Sequence, residues 1–241
     1  MISFFRKAIF VMALLLSIQS FAQTDGFGTW NVLTTKFTFN KKWNAFAEGQ
    51  VRSQKMFNDF HYYEYKAGVG YNFPKTLSVM LAMGHYSTFQ ADGDFKDPHT
   101  DEFRIFEQFG LTNDIGRVKI EHRYRIEQRF LSTGEYRNRF RYRINAIVPL
   151  NNSEIKNKTF YTSLFDEIFV TNEGPYFEQN RIFLGLGYQF NSTLNVLVGY
   201  INRFDQSVAH VPQWKNFWQT NLIFSFAEFK SGRALRPSTM D

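Results

Sequence analysis

Polar and apolar residues alternate along most of the chain with a period of two. The clearest segment spans residues 119–130, where the odd positions are all charged and the even positions are mostly apolar or aromatic. The next segment repeats the pattern, with arginine at 137, 139, 141 and 143. Because successive side chains of a strand point to opposite faces, each segment predicts a strand with one charged face and one apolar face. A helix would spread the same charges around its circumference.

Segments of about ten residues with this alternation are separated by turn residues, as in outer-membrane barrels. Short connections are expected at Asn40–Lys42, Pro74–Lys75, Asn113–Gly116 and Asn191–Ser192, and a longer one at Asn151–Lys158. Irregular loops are expected between them, at Met56–Asp59, Gln90–His99, Leu131–Glu135, Thr171–Pro175 and Asp205–Pro212. The count is about eleven strands, whereas bacterial single-chain barrels normally have an even number. One strand is miscounted or the N-terminal stretch threads the lumen, and we predict 10–12 strands.

The predicted fold class is therefore all-β, an antiparallel transmembrane β-barrel. Its charged faces must point inward, because each Arg or Lys on the lipid side costs about 2–4 kcal/mol at mid-depth. Basic residues outnumber acids on this inner face. The predicted lumen-lining residues are Glu48, Arg52, Glu64, Glu102, Arg104, Glu121, Arg123, Arg125, Glu127, Arg129, Arg139, Arg141, Arg143, Glu167, Arg181 and Arg203.

The first 22 residues resemble a secretory signal. Arg6 and Lys7 precede an apolar run at Ala8–Ile18, and Ser20 and Ala22 occupy the −3 and −1 positions of a cleavage site. The run is too short for a transmembrane helix, which needs roughly 20 apolar residues. We therefore expect a cleaved signal peptide at 1–22, a barrel at 23–226 and a disordered periplasmic tail at 227–241.

Composition agrees with an exported barrel. The chain has no cysteine, which excludes thiolate metal sites and thiol nucleophiles, and aromatic residues make up 19% of it. Aromatic side chains favour strands and form the interfacial girdles of membrane barrels. The formal net charge of +6 includes Arg6 and Lys7. An exported chain would rarely meet nucleic acid, so no nucleic-acid partner is expected.

Several short motifs, in their order, resemble the domain-of-unknown-function 2490 family over essentially the whole mature chain. They are Trp30, Asn40–Trp43, Glu48 with Gln50 and Arg52, His122–Phe130, Arg139–Arg143, Glu167, Gln179–Arg181 and Gly199–Tyr200. The resemblance implies a barrel in the outer membrane of a Gram-negative bacterium, with no established activity.

The leading hypothesis for function is a non-enzymatic barrel with an Arg/Glu-rich lumen, either structural or a narrow pore. Rings of arginine favour anions, so small anionic solutes and outer-membrane lipid are the expected partners. The competing interpretation of the same residues is an interior of ion pairs that plugs the barrel. Barrels of about eight strands are filled by side chains, and those of 16–18 strands leave a channel, so both alternatives stay open.

Two alternatives come from other classes of protein. One is a barrel enzyme acting on lipid or surface substrate through its outer loops. His61, His99 and His210 lie in or beside those loops near several aspartates, and His85 shares a strand face with Ser87. The other is a soluble periplasmic barrel that binds an apolar ligand, which requires apolar residues inside and charges outside. No metal or cofactor motif is present, so none is expected.

Overall fold

The computed structural model describes residues 27–74, 76–90, 95, 97–206 and 211–227. It is an all-β structure, and the predicted range of 10–12 strands is confirmed. Its eleven strands are β1 (Phe27–Thr38), β2 (Trp43–Lys55), β3 (Asn58–Asn72), β4 (Leu77–Thr88), β5 (Thr100–Ile115), β6 (Val118–Leu131), β7 (Tyr136–Pro149), β8 (Thr159–Thr171), β9 (Phe177–Gln189), β10 (Leu194–Gln206) and β11 (Pro212–Ala227). The expected leader at 1–22 and residues 228–241 of the expected tail lie outside the described residues.

The strands form one closed barrel in which each strand pairs with its neighbours in sequence. Ten of the pairings are antiparallel, and β1 closes the barrel by pairing with β11 in parallel. The count of eleven is therefore correct, and β1 is part of the wall rather than a segment threading the lumen. An odd number of strands forces the first and last strands to run in the same direction.

The connections divide between two ends of the barrel. At one end, called the turn end, the connections are residues 39–42, 73–76, 116–117, 150–158 and 190–193. At the other end, called the loop end, they are residues 56–57, 89–99, 132–135, 172–176 and 207–211. The predicted boundaries differ most at two places, since β5 continues to Ile115 and the connection after β2 is only two residues long. The difference in length between the two ends is consequently small.

Asparagine side chains shape two connections at the turn end. The side-chain oxygen of Asn40 accepts hydrogen bonds from the backbone N–H groups of Lys42 and Trp43, at 2.8 and 2.9 Å. Asn191 repeats this arrangement with Thr193 and Leu194, at 2.8 Å each. Such bonds replace the backbone pairing that a reversing chain loses, which explains why Asn marks these turns in the sequence.

Burial alternates along the strands because one face of the wall points into the lumen and the other points outward. The inner face is not only charged. One apolar cluster lies mainly on β1 and β7–β11 and consists of Trp30, Val32, Ile147, Tyr161, Phe165, Phe183, Leu197, Ile201 and Phe217. A smaller one joins Phe46, Ala82 and Phe106. No helix among the described residues is long and apolar enough to cross a membrane.

Candidate functional site: the charged lumen

The structure buries the charged residues that the alternation predicts for the inner face. Of the sixteen, fourteen are buried, and the other two, Arg129 and Arg203, are half-buried. Lys66 joins them on the inner face and is also buried. These side chains form two main ion-pair clusters, one on β2–β3 and one on β5–β9.

Glu127 is the centre of the larger cluster. Its carboxylate accepts hydrogen bonds from Arg139 at 2.6 and 2.9 Å and from Arg141 at 2.6 Å. Arg125 and Arg104 lie at 3.5 and 3.8 Å. Four guanidinium groups from three strands thus surround one carboxylate that has no exposed surface. A buried charge is tolerated only with such compensation.

Glu167 is a second centre, on β8. It pairs with Arg123 at 2.5 Å and with Arg141 at 2.9 Å. Arg141 therefore links the two carboxylates and ties β7 to β6 and β8. Nearer the loop end, Glu102 binds Arg129 through two parallel hydrogen bonds of 2.8 and 2.9 Å. This bidentate geometry is the strongest form of an Arg–carboxylate pair.

The cluster on β2–β3 is more compact. Lys66 Nζ lies 2.7 Å from carboxylate oxygens of both Glu48 and Glu64, and Arg52 lies 3.1 Å from Glu64. The hydroxyl of Thr34 donates to Glu48 at 2.8 Å. The Tyr62 hydroxyl donates to Glu64. These contacts give each buried carboxylate at least two partners.

A ladder of stacked rings and guanidinium groups crosses the lumen. Arg181 lies 4.4 Å from the ring centroid of Phe169 and 4.8 Å from that of Trp30. On the β2 side, Arg52 lies 3.4 Å from Trp30 and 4.0 Å from Tyr62. The ladder joins β8 and β9 to β1, β2 and β3, on opposite sides of the barrel. It spans the lumen toward the loop end.

The connection at 150–158 contacts the interior of the barrel at the turn end. Its Ile155 packs against the apolar cluster inside the barrel. Arg117 holds this connection by donating to the backbone oxygens of Leu150 and Asn152, at 3.2 and 3.3 Å. A pocket of about 250 Å³ remains beside it, lined by residues that include Asp114, Arg117 and Glu154.

Two β-bulges turn a residue into the lumen near the loop end where strict alternation would place that residue on the outer face. The pairing of β2 with β3 shifts so that His61 has no register partner, and the pairing of β8 with β9 shifts in the same way at Glu178. Glu178 pairs with Arg129 and Arg139, at 3.1 and 3.4 Å. Sequence alternation missed Glu178 for this reason, and no short motif marks the bulge.

The inner-facing aromatic residues were also missed. Trp30, Phe169 and Tyr62 are fully or almost fully buried and stack on arginines of the lumen. The residues before and after Phe169 are apolar as well, so a two-residue period cannot tell which side faces inward. The available signal was Arg181, a charged residue on β9 that must face inward. It lies two residues from Gln179, the register partner of Phe169.

Two of the residues considered for an enzyme, His85 and Ser87, lie on the outer face of the wall near the loop end, whereas His61 lies in the lumen. His85 Nε2 is 3.0 Å from a carboxylate oxygen of Asp101, and the Ser87 hydroxyl donates to the same carboxylate. The carboxylate thus lies between serine and histidine, whereas a hydrolytic triad needs histidine between serine and the acid. His85 also stacks on Tyr65, with ring centroids 5.2 Å apart.

A metal site at the loop-end rim has no support among the residues that can be placed. Within them, no group of three histidine, aspartate or glutamate side chains is arranged to hold a metal ion. His99 and Asp97 belong to the connection before β5, while Asp92, Asp94 and His210 lie outside the described residues.

Comparison with protein families identifies a match over most of the chain. Residues 27–214 match a family model described as "Protein of unknown function (DUF2490)". The match covers β1–β10 and the start of β11, and so includes every charged residue of the lumen discussed above. No curated protein and no solved structure matches the chain.

Proposed function

The chain belongs to the DUF2490 family, and from the geometry of its barrel we propose that it is an outer-membrane protein with a closed, ion-paired lumen. In this proposal its outer face contacts lipid, its role is structural or ligand-binding, and it does not conduct as an open pore. The observation that carries the proposal is the distribution of side chains between the two faces of the wall.

The middle of the outer face is mostly apolar, with aliphatic side chains and a few rings such as Tyr65 and Tyr124. Side chains such as Leu81, Leu164 and Leu184 are about half exposed to the surroundings, at 53, 50 and 46%. Large exposed apolar surfaces on a soluble protein rarely exceed a few hundred Å². Here they continue around the whole wall, which is the arrangement that hydrocarbon requires of a barrel.

Aromatic residues border this band at both ends. At the turn end, the contacting pairs include Phe37 with Phe226, Trp43 with Tyr71 and Phe160 with Tyr188. At the loop end they include Phe204 with Trp214, Phe103 with Phe130 and Phe130 with Tyr136. Two aromatic girdles around an apolar band are typical of outer-membrane barrels.

Besides Asp101 near the loop end, two carboxylates interrupt the outer face, and each of these two has an amide partner. Glu107 accepts a hydrogen bond from Gln128 at 3.0 Å, and Asp166 accepts one from Asn180 at 2.6 Å. Acidic residues on the lipid face cost less than Arg or Lys. The pattern is therefore compatible with a lipid-facing wall, whereas a soluble barrel for an apolar ligand would have the opposite distribution of arginines.

The closed lumen supports a structural or binding role over a pore. Toward the loop end the lumen is crossed by the ladder of Phe169, Arg181, Trp30, Arg52 and Tyr62. Toward the turn end the lumen carries the apolar cluster, with Ile155 packed against it. Small barrels filled by side chains do not conduct freely.

Fractionation of a Gram-negative host that expresses the full chain tests the membrane part of the proposal. We expect the protein in the outer-membrane fraction, extractable only with detergent, and migrating faster on gels before heating than after. Recovery as a soluble periplasmic protein that stays folded without detergent would contradict the proposal.

A further inference from the structure

A row of basic residues runs across the inner face of six neighbouring strands. The strand registers pair Arg123 with Arg143, Arg143 with Glu167, Glu167 with Arg181, Arg181 with Arg203, and Arg203 with Lys215. Five cationic side chains thus share a row with one carboxylate. Like charges directly opposite each other destabilise a sheet, and Arg181 and Arg203 are such a pair.

The single carboxylate of the row is directed toward its β6–β7 end. Glu167 bonds Arg123 and Arg141, and so does not pair with Arg181, its register partner on β9. Among the residues that the structure describes, no carboxylate lies within 4.0 Å of the Arg181 guanidinium. Its one hydrogen-bond partner is the side-chain oxygen of Gln179, at 2.6 Å.

Arg181 is nevertheless 93% buried, with a relative exposure of 7%. The rings of Phe169 and Trp30 contact its guanidinium, and such rings compensate only part of the cost of burying a charge. An isolated buried cation normally requires an ion partner. The neighbouring Arg203 is held by Asp205 at 2.8 Å, so Asp205 is already engaged.

From this juxtaposition we propose that Arg181, with Arg203 opposite it, forms a binding site for a small oxyanion such as phosphate or sulfate. The inference deepens the proposed function, because it rests on the same inward placement of the arginines. A guanidinium presents parallel N–H groups that match two oxygens of such an anion. The bound anion would be the ion partner that Arg181 lacks among the described residues.

The site opens toward the loop end and is closed below. Arg203 and Asp205 retain 20 and 19% side-chain exposure, and Glu178 retains 26%, so solvent reaches this level of the lumen. Two residues further along each strand toward the turn end, the inner face carries Phe183, Ile201 and Phe217, which belong to the apolar cluster. An anion can therefore enter from the loop end and stop there, which distinguishes a binding site from a conduction path.

The test compares the unfolding temperature of the full-length, detergent-solubilised protein in sodium phosphate, sodium sulfate and sodium chloride at equal ionic strength. Phosphate or sulfate at about 100 times its Kd should raise the midpoint by about 5–10 °C over chloride, in a saturable way. Arg181→Gln should lose this rise, and Arg181→Lys should retain part of it. Arg137→Gln is the matched control, since Arg137 is 31% exposed and pairs with Glu135 outside the row.

Arg203→Gln is a second variant at a more exposed position, for the case that Arg181→Gln fails to fold. It should raise the apparent Kd for phosphate at least threefold. Equal midpoints in all three salts, or an unchanged phosphate response in the folded variants, would overturn the site. Heat-modifiable migration is recorded on the same samples. If the protein is an intact membrane barrel but its midpoint does not rise in phosphate or sulfate, only the oxyanion site is rejected. If the protein is soluble, the proposed function is rejected as well.

Discussion

Glu127 shows how a single carboxylate organises the lumen, because four arginines lie within 3.8 Å of it and it has no exposed surface. Glu127→Gln keeps the shape and removes the charge, which leaves these guanidinium groups uncompensated. We expect a loss of about 3–5 kcal/mol in the free energy of unfolding, as for other broken buried pairs. Urea titration of the refolded barrel in detergent measures it.

The matched control is Glu135→Gln. Glu135 pairs with Arg137 at 2.8 Å with 54% of its side chain exposed, and exposed pairs contribute about 0–1 kcal/mol. If both variants lost the same small amount, the buried network would not be a determinant of stability.

Gly187 makes room for the ring of Tyr161, because a Cβ added at Gly187 would lie 2.1 Å from that ring. Tyr161 is fixed in turn by a 2.7 Å hydrogen bond from its hydroxyl to Asn195. Gly187→Ala should therefore destabilise the barrel by about 1–3 kcal/mol through overpacking. Gly49→Ala has open space around its new methyl group and should change stability by less than about 0.5 kcal/mol. Thermal unfolding of both variants distinguishes steric crowding from a general effect of losing glycine in a strand.

Individual side chains could be assigned to a face from the sequence where charge alternates strictly, as in residues 119–129. The assignment failed where apolar residues occupy both faces, as around Phe169, and where a bulge shifts the period, as at Glu178. The excess of positive charge was visible in the sequence. The ion-pair partner of each arginine could not be predicted from the sequence, because it depends on the register between strands.

At the scale of the strands, the parallel pairing of β1 with β11 is the least expected element. Antiparallel hairpins can be read from alternation and turn residues, so β2–β11 followed from the sequence in outline. Closure joins the two ends of the chain, and no local signal encodes it. The only hint in the sequence was the predicted count of about eleven strands, which conflicts with the even number usual in bacterial barrels.

A cysteine pair tests this closure, since the native chain contains no cysteine. Leu33 and Leu222 are register partners across the seam and both point outward. The variant Leu33→Cys/Leu222→Cys should form a disulfide or a short bismaleimide cross-link, seen as altered migration on non-reducing gels. The control Leu33→Cys/Leu164→Cys places the second thiol on β8, four strands from β1 around the barrel, and should not cross-link. Absence of the first cross-link in folded protein would refute the parallel seam.

At the scale of the whole molecule, the two faces of one wall have opposite chemistry and the lumen is filled. We expect the purified protein to insert into planar bilayers without producing stable conductance steps, because the ladder around Trp30 and the apolar cluster against which Ile155 packs block the path. A steady, anion-selective conductance of correctly folded protein would show that the arginines line an open pore instead.

The central claim is that the apolar face of the wall lies against acyl chains. A fluorophore on Leu184→Cys, halfway along β9, should be strongly quenched in vesicles whose lipids carry bromine on the acyl chains. The same fluorophore on Thr133→Cys, in the exposed connection 132–135, should be quenched weakly. Equal, weak quenching at both positions would contradict the claim, because it would leave residue 184 in water.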